Sequence, residues 1–290
     1  MTPHLPNLLN APNPPAVPRT YLFVPGNRPE RFAKALASPA DAVILDLEDA
    51  VSADAKAAAR QAIAAWAVGA DAALRARTLL RINDAASPHF ADDLRLLAAL
   101  GLNLAMLPKA ESPEQIAPVL AALAVKATAP GVLALIESAA GVAHVDAIAA
   151  TAGVQRLVFG TLDFALDLAL DIRDSSEPLA YAASRLVLAS RLGGLAAPVA
   201  GVTPQLDDSE RLLADLAWSR RHGFGAKLCI HPSQVAPLHQ AMAPSADEVL
   251  WAQRVLAAES ASPGAAKLDG QMIDRPVVLR AQRTLHSAGL

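Results

Sequence analysis

Ala134-Leu135-Ile136-Glu137-Ser138 and Phe159-Gly160-Thr161-Leu162-Asp163 decide how this chain folds. Each closes an apolar run. Val132-Leu133-Ala134-Leu135-Ile136 precedes Glu137, and Leu157-Val158-Phe159 with a glycine precedes Asp163. Both runs read as buried strands. A carboxylate at the end of a buried strand is costly unless something pairs with it. Two such acids on successive strands point to a shared divalent cation, Mg²⁺, which prefers oxygen ligands. Equally, each acid can cap the following helix or pair with a basic residue. The residues alone leave these readings even.

The same strand-then-turn grammar extends outward. Upstream, residues 21–24, 42–45, 78–82 and 102–107 are apolar runs of strand length. Downstream, 197–202 is a seventh run, weakened by Pro198, and 227–230 is an eighth. Helical stretches lie between them. Asn27 is expected to cap a helix with Pro29 in its first turn, running to about residue 36. An Ala-rich helix is expected over 52–66, another up to about 100, and one opening at Ser112-Pro113-Glu114. Further helices are expected over 141–149, over 179–192, and from Asp207 or Asp208 to about 222. Eight strands alternating with helices predict an α/β fold, a (β/α)₈ TIM barrel. An open doubly wound sheet is the alternative, but no Gly-rich dinucleotide fingerprint follows the first strand.

The barrel is assigned to residues 19–244. Residues 1–18, rich in Pro and Asn, are expected to be a disordered tail and lack the pattern of a signal peptide. Residues 245–290 form a C-terminal helical extension. It holds a helix over 247–258, a Ser262-Pro263-Gly264 linker, the stretch Lys267–Asp274 and a last helix after Pro276.

Composition fits such a domain. The chain has 290 residues, 53% of them apolar, with a net charge of −3. A single barrel of ~250 residues is typical. There is no basic block for nucleic acid or a membrane surface, and no apolar run approaches the ~20 residues of a membrane span. Cys229 is the one cysteine, so no intrachain disulfide framework exists. A cytoplasmic enzyme is expected.

Barrel enzymes draw their site from the C-terminal ends of several strands. That face would collect Arg81, Lys109, Glu137, Asp163, His231 and the cluster Asp46-Leu47-Glu48-Asp49. Glu137 and Asp163 are the candidate Mg²⁺ ligands. Arg81, inside an apolar run, calls for a planar anion. That anion is either a substrate carboxylate or one of Asp46, Glu48 and Asp49. Lys109 fits a Schiff-base lysine of a metal-free aldolase or, with more weight, a cation balancing nearby acids. His231 fits a base or a helix start. Cys229 fits core packing. Arg28 fits a phosphate contact or a solvated surface position.

Taken jointly and in order, several pieces resemble one family. They are Arg19–Arg28, Asp46–Val51, Arg81-Ile82-Asn83, Leu107–Glu111, Leu135–Ser138 and Phe159–Phe164. Gly223–Lys227 with Ile230–Gln234, and Asp269–Asp274, complete the set. The chain from about Arg19 onward resembles the citrate lyase β-subunit-like proteins, Mg²⁺-dependent acyl-CoA carbon–carbon lyases of the aldolase and malyl-CoA lyase group. The resemblance implies a barrel assembled as a homotrimer. It implies Glu137 and Asp163 as Mg²⁺ ligands, with Glu137 beside the substrate. Arg81 would bind the keto acid or acyl substrate. Asp274 would be a catalytic acid/base reaching a neighbouring subunit's site. Three departures stand out. Ser138 replaces a common Thr, Leu162 replaces a Glu, and an Asp common after the seventh strand is missing near Ala200-Gly201. The last two remove acids beside the site and bear on substrate choice.

The expected activity is cleavage or formation of a 3-hydroxyacyl thioester such as malyl-, citramalyl- or citryl-CoA. The products would be an acyl thioester and an α-keto acid, with coenzyme A carried on the substrate. Alternatives are a metal-dependent aldolase on free hydroxy-keto acids, and a subunit active only in an acyl-carrier-protein lyase complex.

Overall fold

The structure, a computed structural model, describes residues 17–262 and 267–290. The first sixteen residues of the expected tail, and all of the expected linker but Ser262, lie outside the described residues. The chain forms two compact units, one reaching to Ala236 and one from Pro237 to Leu290.

The first unit is a closed barrel of eight parallel strands. They are β1 (Thr20–Pro25), β2 (Ala42–Asp46), β3 (Thr78–Arg81), β4 (Leu104–Leu107), β5 (Gly131–Ile136), β6 (Val154–Phe159), β7 (Val199–Ala200) and β8 (Ala226–Cys229). β8 pairs back onto β1. The barrel interior is filled by alternate residues, among them Tyr21, Ile44, Leu79, Met106, Leu133, Leu135, Val158 and Leu228. The residues between them, such as Val43, Leu80, Ala134 and Leu157, are buried too. Most strand positions are therefore apolar, because both faces are covered, one by the barrel core and one by the helices, and the charged exceptions sit near strand ends.

Register places the ends of the strands. Asp46 on β2 lies beside Arg81 on β3, and Ile136 on β5 beside Phe159 on β6. Opposite charges thus meet at the same level of the barrel rim. At the N-terminal end, Arg156 shares the inward side of β6 with Val158. Its guanidinium donates to the carbonyls of Ala197 (2.6 Å) and Pro18 (2.7 Å), so this buried cation is held by backbone oxygens.

Several expected boundaries change. β7 is two residues long instead of six, Val199–Ala200, and Pro198 before it lacks an N–H to donate to a ladder. β4 begins at Leu104, and β8 runs from Ala226 to Cys229. The Ala-rich helix is Lys56–Gly69, entered through a short 3₁₀ turn. The helix expected over 141–149 is broken into Ala139–Ala143 and Val145–Ala149. His144 departs from helical angles there and its Nδ1 meets the Glu111 carbonyl at 2.8 Å. Asn27 is not a cap: a 3₁₀ turn starts at Pro29 behind Arg28. Asp208 does cap its helix, Ser209–Arg221, by accepting the Arg211 N–H.

In the second unit, helices Ala246–Ala261 and Arg275–Ser287 bury Ala252, Val255, Ile273 and Ala281. Lys267–Leu268 pairs antiparallel with Gln271–Met272. The two residues between them, Asp269 and Gly270, both have positive φ (51° and 78°), the conformation a two-residue hairpin turn requires. No helix among the described residues is long and apolar enough to cross a membrane.

Candidate active site

The C-terminal rim of the barrel carries a chain of alternating charges. Arg81 grips Asp46 with two parallel bonds, Nε to Oδ1 at 2.7 Å and Nη2 to Oδ2 at 2.6 Å. Its Nη1 lies 2.7 Å from Glu48 Oε2 and 3.7 Å from Asp49. Glu48 Oε1 accepts from Lys109 Nζ at 3.0 Å. The Lys109 backbone N–H in turn donates to Glu137 Oε1 at 2.8 Å. Lys109 has φ of 46°, a left-handed conformation unfavourable for a residue with a β-carbon. Such strain costs about 1–3 kcal/mol and is held by its surroundings. Here the strained residue satisfies Glu137 with its amide and Glu48 with its ammonium.

Arg81 therefore has internal partners, as one of its two sequence readings expected. Of its five N–H donors, two are hydrogen-bonded to Asp46, and Nη1 pairs with Glu48 by charge. Its guanidinium also sits 4.7 Å from the centre of the Phe23 ring. The fork is thus fixed from three sides, and Arg81 lines a cavity.

That cavity, of about 340 Å³, is lined by Arg81, Asp46, Glu137, Asp163, Leu162 and Val202 among others. Arg81, Glu137 and Asp163, three of the four residues singled out from the sequence, come together here. The fourth, Asp274, belongs to the second unit, where its carboxylate accepts the Val277 N–H and caps the helix Arg275–Ser287.

Glu137 is buried, and its carboxyl is pushed up to about 8. Burial is the main cause, and the neighbouring charges of Glu48 and Asp163 add to it. The Lys109 amide and Arg81 work against them. Crowding of acids at one buried point is the arrangement a divalent cation relieves. Among the described residues no group of three or more His, Cys, Asp or Glu side chains is placed to hold a metal. Glu137 and Asp163 line one cavity and are the carboxylates there that could hold a cation between them. This fits Mg²⁺, which keeps several positions for water and substrate oxygens.

Gly160 makes the geometry possible. A β-carbon there would lie 2.3 Å from Glu137 Oε2 and 2.5 Å from Glu137 Cβ. The strand-to-helix turn at the end of β6 passes that close to the carboxylate. Sequence reasoning had no role for this glycine; a lone glycine between a strand and a helix start was the available signal. Gly201 is packed in the same way, 2.4 Å from Thr161 Oγ1 by the same construction. Ser138 donates to Glu111 at 2.5 Å and accepts the Gly141 N–H, so its hydroxyl holds the loop and caps a helix.

The remaining candidates resolve to structural roles. Burial opposes the Lys109 charge, but Glu48 outweighs it and keeps the ammonium protonated beyond the ordinary lysine range. This pairing supports the reading of Lys109 as a cation balancing nearby acids. His231 accepts the Ser233 N–H and opens the turn Pro232–Gln234. Cys229 is buried, and burial pushes its thiol up to about 12. Arg28 pairs with Glu30 at 2.6 Å on the surface.

Known proteins share this architecture. The chain is 37% identical over 279 residues to a citrate lyase subunit beta-like protein of Mycobacterium tuberculosis, covering 93% of this chain and 95% of that one. It is 33% identical over 309 residues to an L-malyl-CoA/beta-methylmalyl-CoA lyase of Cereibacter sphaeroides, covering 96% of each. The crystal structure of the protein CitE from Mycobacterium tuberculosis, in complex with magnesium, acetoacetate and coenzyme A, superposes with a TM-score of 0.83. The identity is 35%, over 95% of this chain and 99% of that one. The family model of the HpcH/HpaI aldolase/citrate lyases matches residues 19–232, the span of the barrel and its rim of acids. With an Arg81–Asp46 fork, a buried Glu137 and Asp163 on one cavity, the chain belongs to the HpcH/HpaI aldolase/citrate lyase family and is a carbon–carbon lyase.

Proposed function

We propose that the protein is a Mg²⁺-dependent lyase that cleaves, or forms, the carbon–carbon bond between a thioester enolate and an α-keto acid. The substrate class is a 3-hydroxyacyl-CoA such as malyl-, citramalyl- or citryl-CoA. The observation that carries this is Glu137: a carboxyl raised by burial and then by neighbouring acids, on the same cavity as Asp163 and the fixed fork of Arg81. Relatives support it, since solved structures of the Mycobacterium tuberculosis protein hold magnesium with pyruvate and with oxaloacetate.

Glu137 and Asp163 would hold the metal. Bound Mg²⁺ supplies Lewis-acid stabilisation of negative charge at the keto or hydroxyl oxygen. Arg81 offers the donors that Asp46 does not take to a substrate carboxylate or the thioester oxygen, and Asp46, Glu48 and Phe23 spare it reorganisation. Lys109 positions Glu137 through its amide and holds Glu48 through its ammonium. Asp274 is assigned, from the family resemblance, as the acid/base at the enolate carbon, supplied by a neighbouring copy of the chain. A homo-oligomer, in the trimeric form the resemblance implies, is part of this proposal.

The test is turnover of malyl-, citramalyl- and citryl-CoA with Mg²⁺ and with EDTA, following release of the keto acid. Metal-dependent release supports the proposal. Turnover of free hydroxy-keto acids but not of thioesters moves the assignment to an aldolase. Activity only on addition of an acyl carrier protein moves it to a complex subunit.

A further inference from the structure

One wall of the cavity carries information about the substrate, given the lyase reading above. Asp46, Asp49, Glu137 and Asp163 bring acids to the cavity, and among its described lining residues Arg81 is the one cation. Two of its N–H donors are hydrogen-bonded to Asp46, and Nη1 is paired with Glu48. The wall beside Asp163 is apolar, made by Leu162, Val202 and Ile230. Leu162 is 45% exposed and Ile230 39%, so aliphatic surface stands open at the site.

Leu162 and Val202 also form a partition. With Thr161 and Gly201 they line a second cavity of about 260 Å³, which holds Arg173, Arg211 and the buried Lys227. These cations line that second cavity and not the first. The partition has no slack at its base, since Gly201 already leaves no room for a β-carbon against Thr161.

We propose that Leu162 and Val202 are the specificity wall of the site. They accept an α-keto acid whose third substituent is a methyl or ethyl group, and they turn away one carrying a second carboxylate. An alkyl group would cover the open aliphatic surface. A second carboxylate would lose water against the aliphatic surface of Leu162 and Val202 and find no cationic side chain on that wall, since Asp46 and Glu48 already hold Arg81 and the other cations line the second cavity.

Calorimetric binding of pyruvate, 2-oxobutyrate and oxaloacetate to the full chain in Mg²⁺ tests this, with kcat/KM for condensation with acetyl-CoA as the second readout. The expected result is binding of 2-oxobutyrate at least about tenfold tighter than of oxaloacetate, the scale on which one small group is discriminated. Leu162→Ala should lose about tenfold of that preference. Leu162→Arg, at a position open to solvent, should gain about tenfold in oxaloacetate affinity. Equal or tighter binding of oxaloacetate by the wild type, or a Leu162→Arg protein with an unchanged ratio, overturns the wall and leaves the lyase reading standing. No Mg²⁺-dependent binding of any of the three keto acids overturns the lyase reading, and the wall with it.

Discussion

Glu137 and Gly160 are packed so closely that a single methyl group cannot come between them: a β-carbon on Gly160 would fall 2.3 Å from Glu137 Oε2. The turn that follows β6 therefore fixes the position of an acid at the end of β5. Neighbouring strands in register, Ile136 beside Phe159, bring the two together.

Gly160→Ala should displace the Glu137 carboxylate. Overpacking of this kind costs about 1–3 kcal/mol. Disturbed support of a metal ligand costs about 10–100-fold in affinity. Mg²⁺ titration calorimetry and urea unfolding measure both. Gly69→Ala is the control, because nothing lies within 4 Å of a β-carbon there. Wild-type Mg²⁺ affinity in Gly160→Ala would remove the positioning role given to this turn.

Glu137→Gln and Asp163→Asn should each lower Mg²⁺-dependent turnover by at least about 10²-fold, the scale of losing one electrostatic stabiliser in a dry site. Glu137→Gln should nevertheless fold well in EDTA, since a neutral amide replaces a carboxyl that burial already keeps protonated near pH 7. Circular dichroism checks the fold, and full activity in both variants would sink the metal assignment.

The pH dependence of stability follows from the same group. Glu137 is raised from the ordinary glutamate range to about 8 in the folded protein. The folded state thus binds the proton more tightly than the unfolded chain. Its contribution is complete below about pH 4.5 and is lost as pH rises through about 8. In EDTA, the melting temperature of the wild type relative to Glu137→Gln should fall across that window. Mg²⁺ needs the carboxylate, so metal binding at pH 7 should release a proton. Calorimetry in buffers of different ionisation enthalpy detects it; no proton release would contradict the shift.

Arg81→Met leaves Asp46 buried without its cation and Glu48 with Lys109 alone. Breaking one side of a buried pair costs about 3–5 kcal/mol. Arg81→Lys keeps the charge and loses the fork, so it should be the less destabilised of the two and still weak in substrate binding. Denaturant midpoints and the KM of the thioester separate stability from binding. A fully stable Arg81→Met protein would show that the pairs to Asp46 and Glu48 carry little.

Lys109 is tied to Glu48 at 3.0 Å and held protonated. Borohydride added with pyruvate should therefore leave no covalent adduct by mass spectrometry. A pyruvyl adduct on Lys109 would restore the metal-free aldolase.

The sequence by itself determined the barrel, because strands covered on both faces read as near-continuous apolar runs and must alternate with helices. It also determined which charged residues end those strands: Arg81 at the end of an apolar run, Glu137 just past β5 and Asp163 just past β6. Tertiary structure decided what each charge touches. Arg81 could meet a substrate or its neighbours, and only strand register set it beside Asp46. The closeness of Gly160 to Glu137, the strained Lys109 that serves two acids, and the sharing of Leu162 and Val202 between two cavities are contacts between different strand ends. Local pattern cannot encode them, since they depend on where the closure of the barrel places residues far apart in the chain.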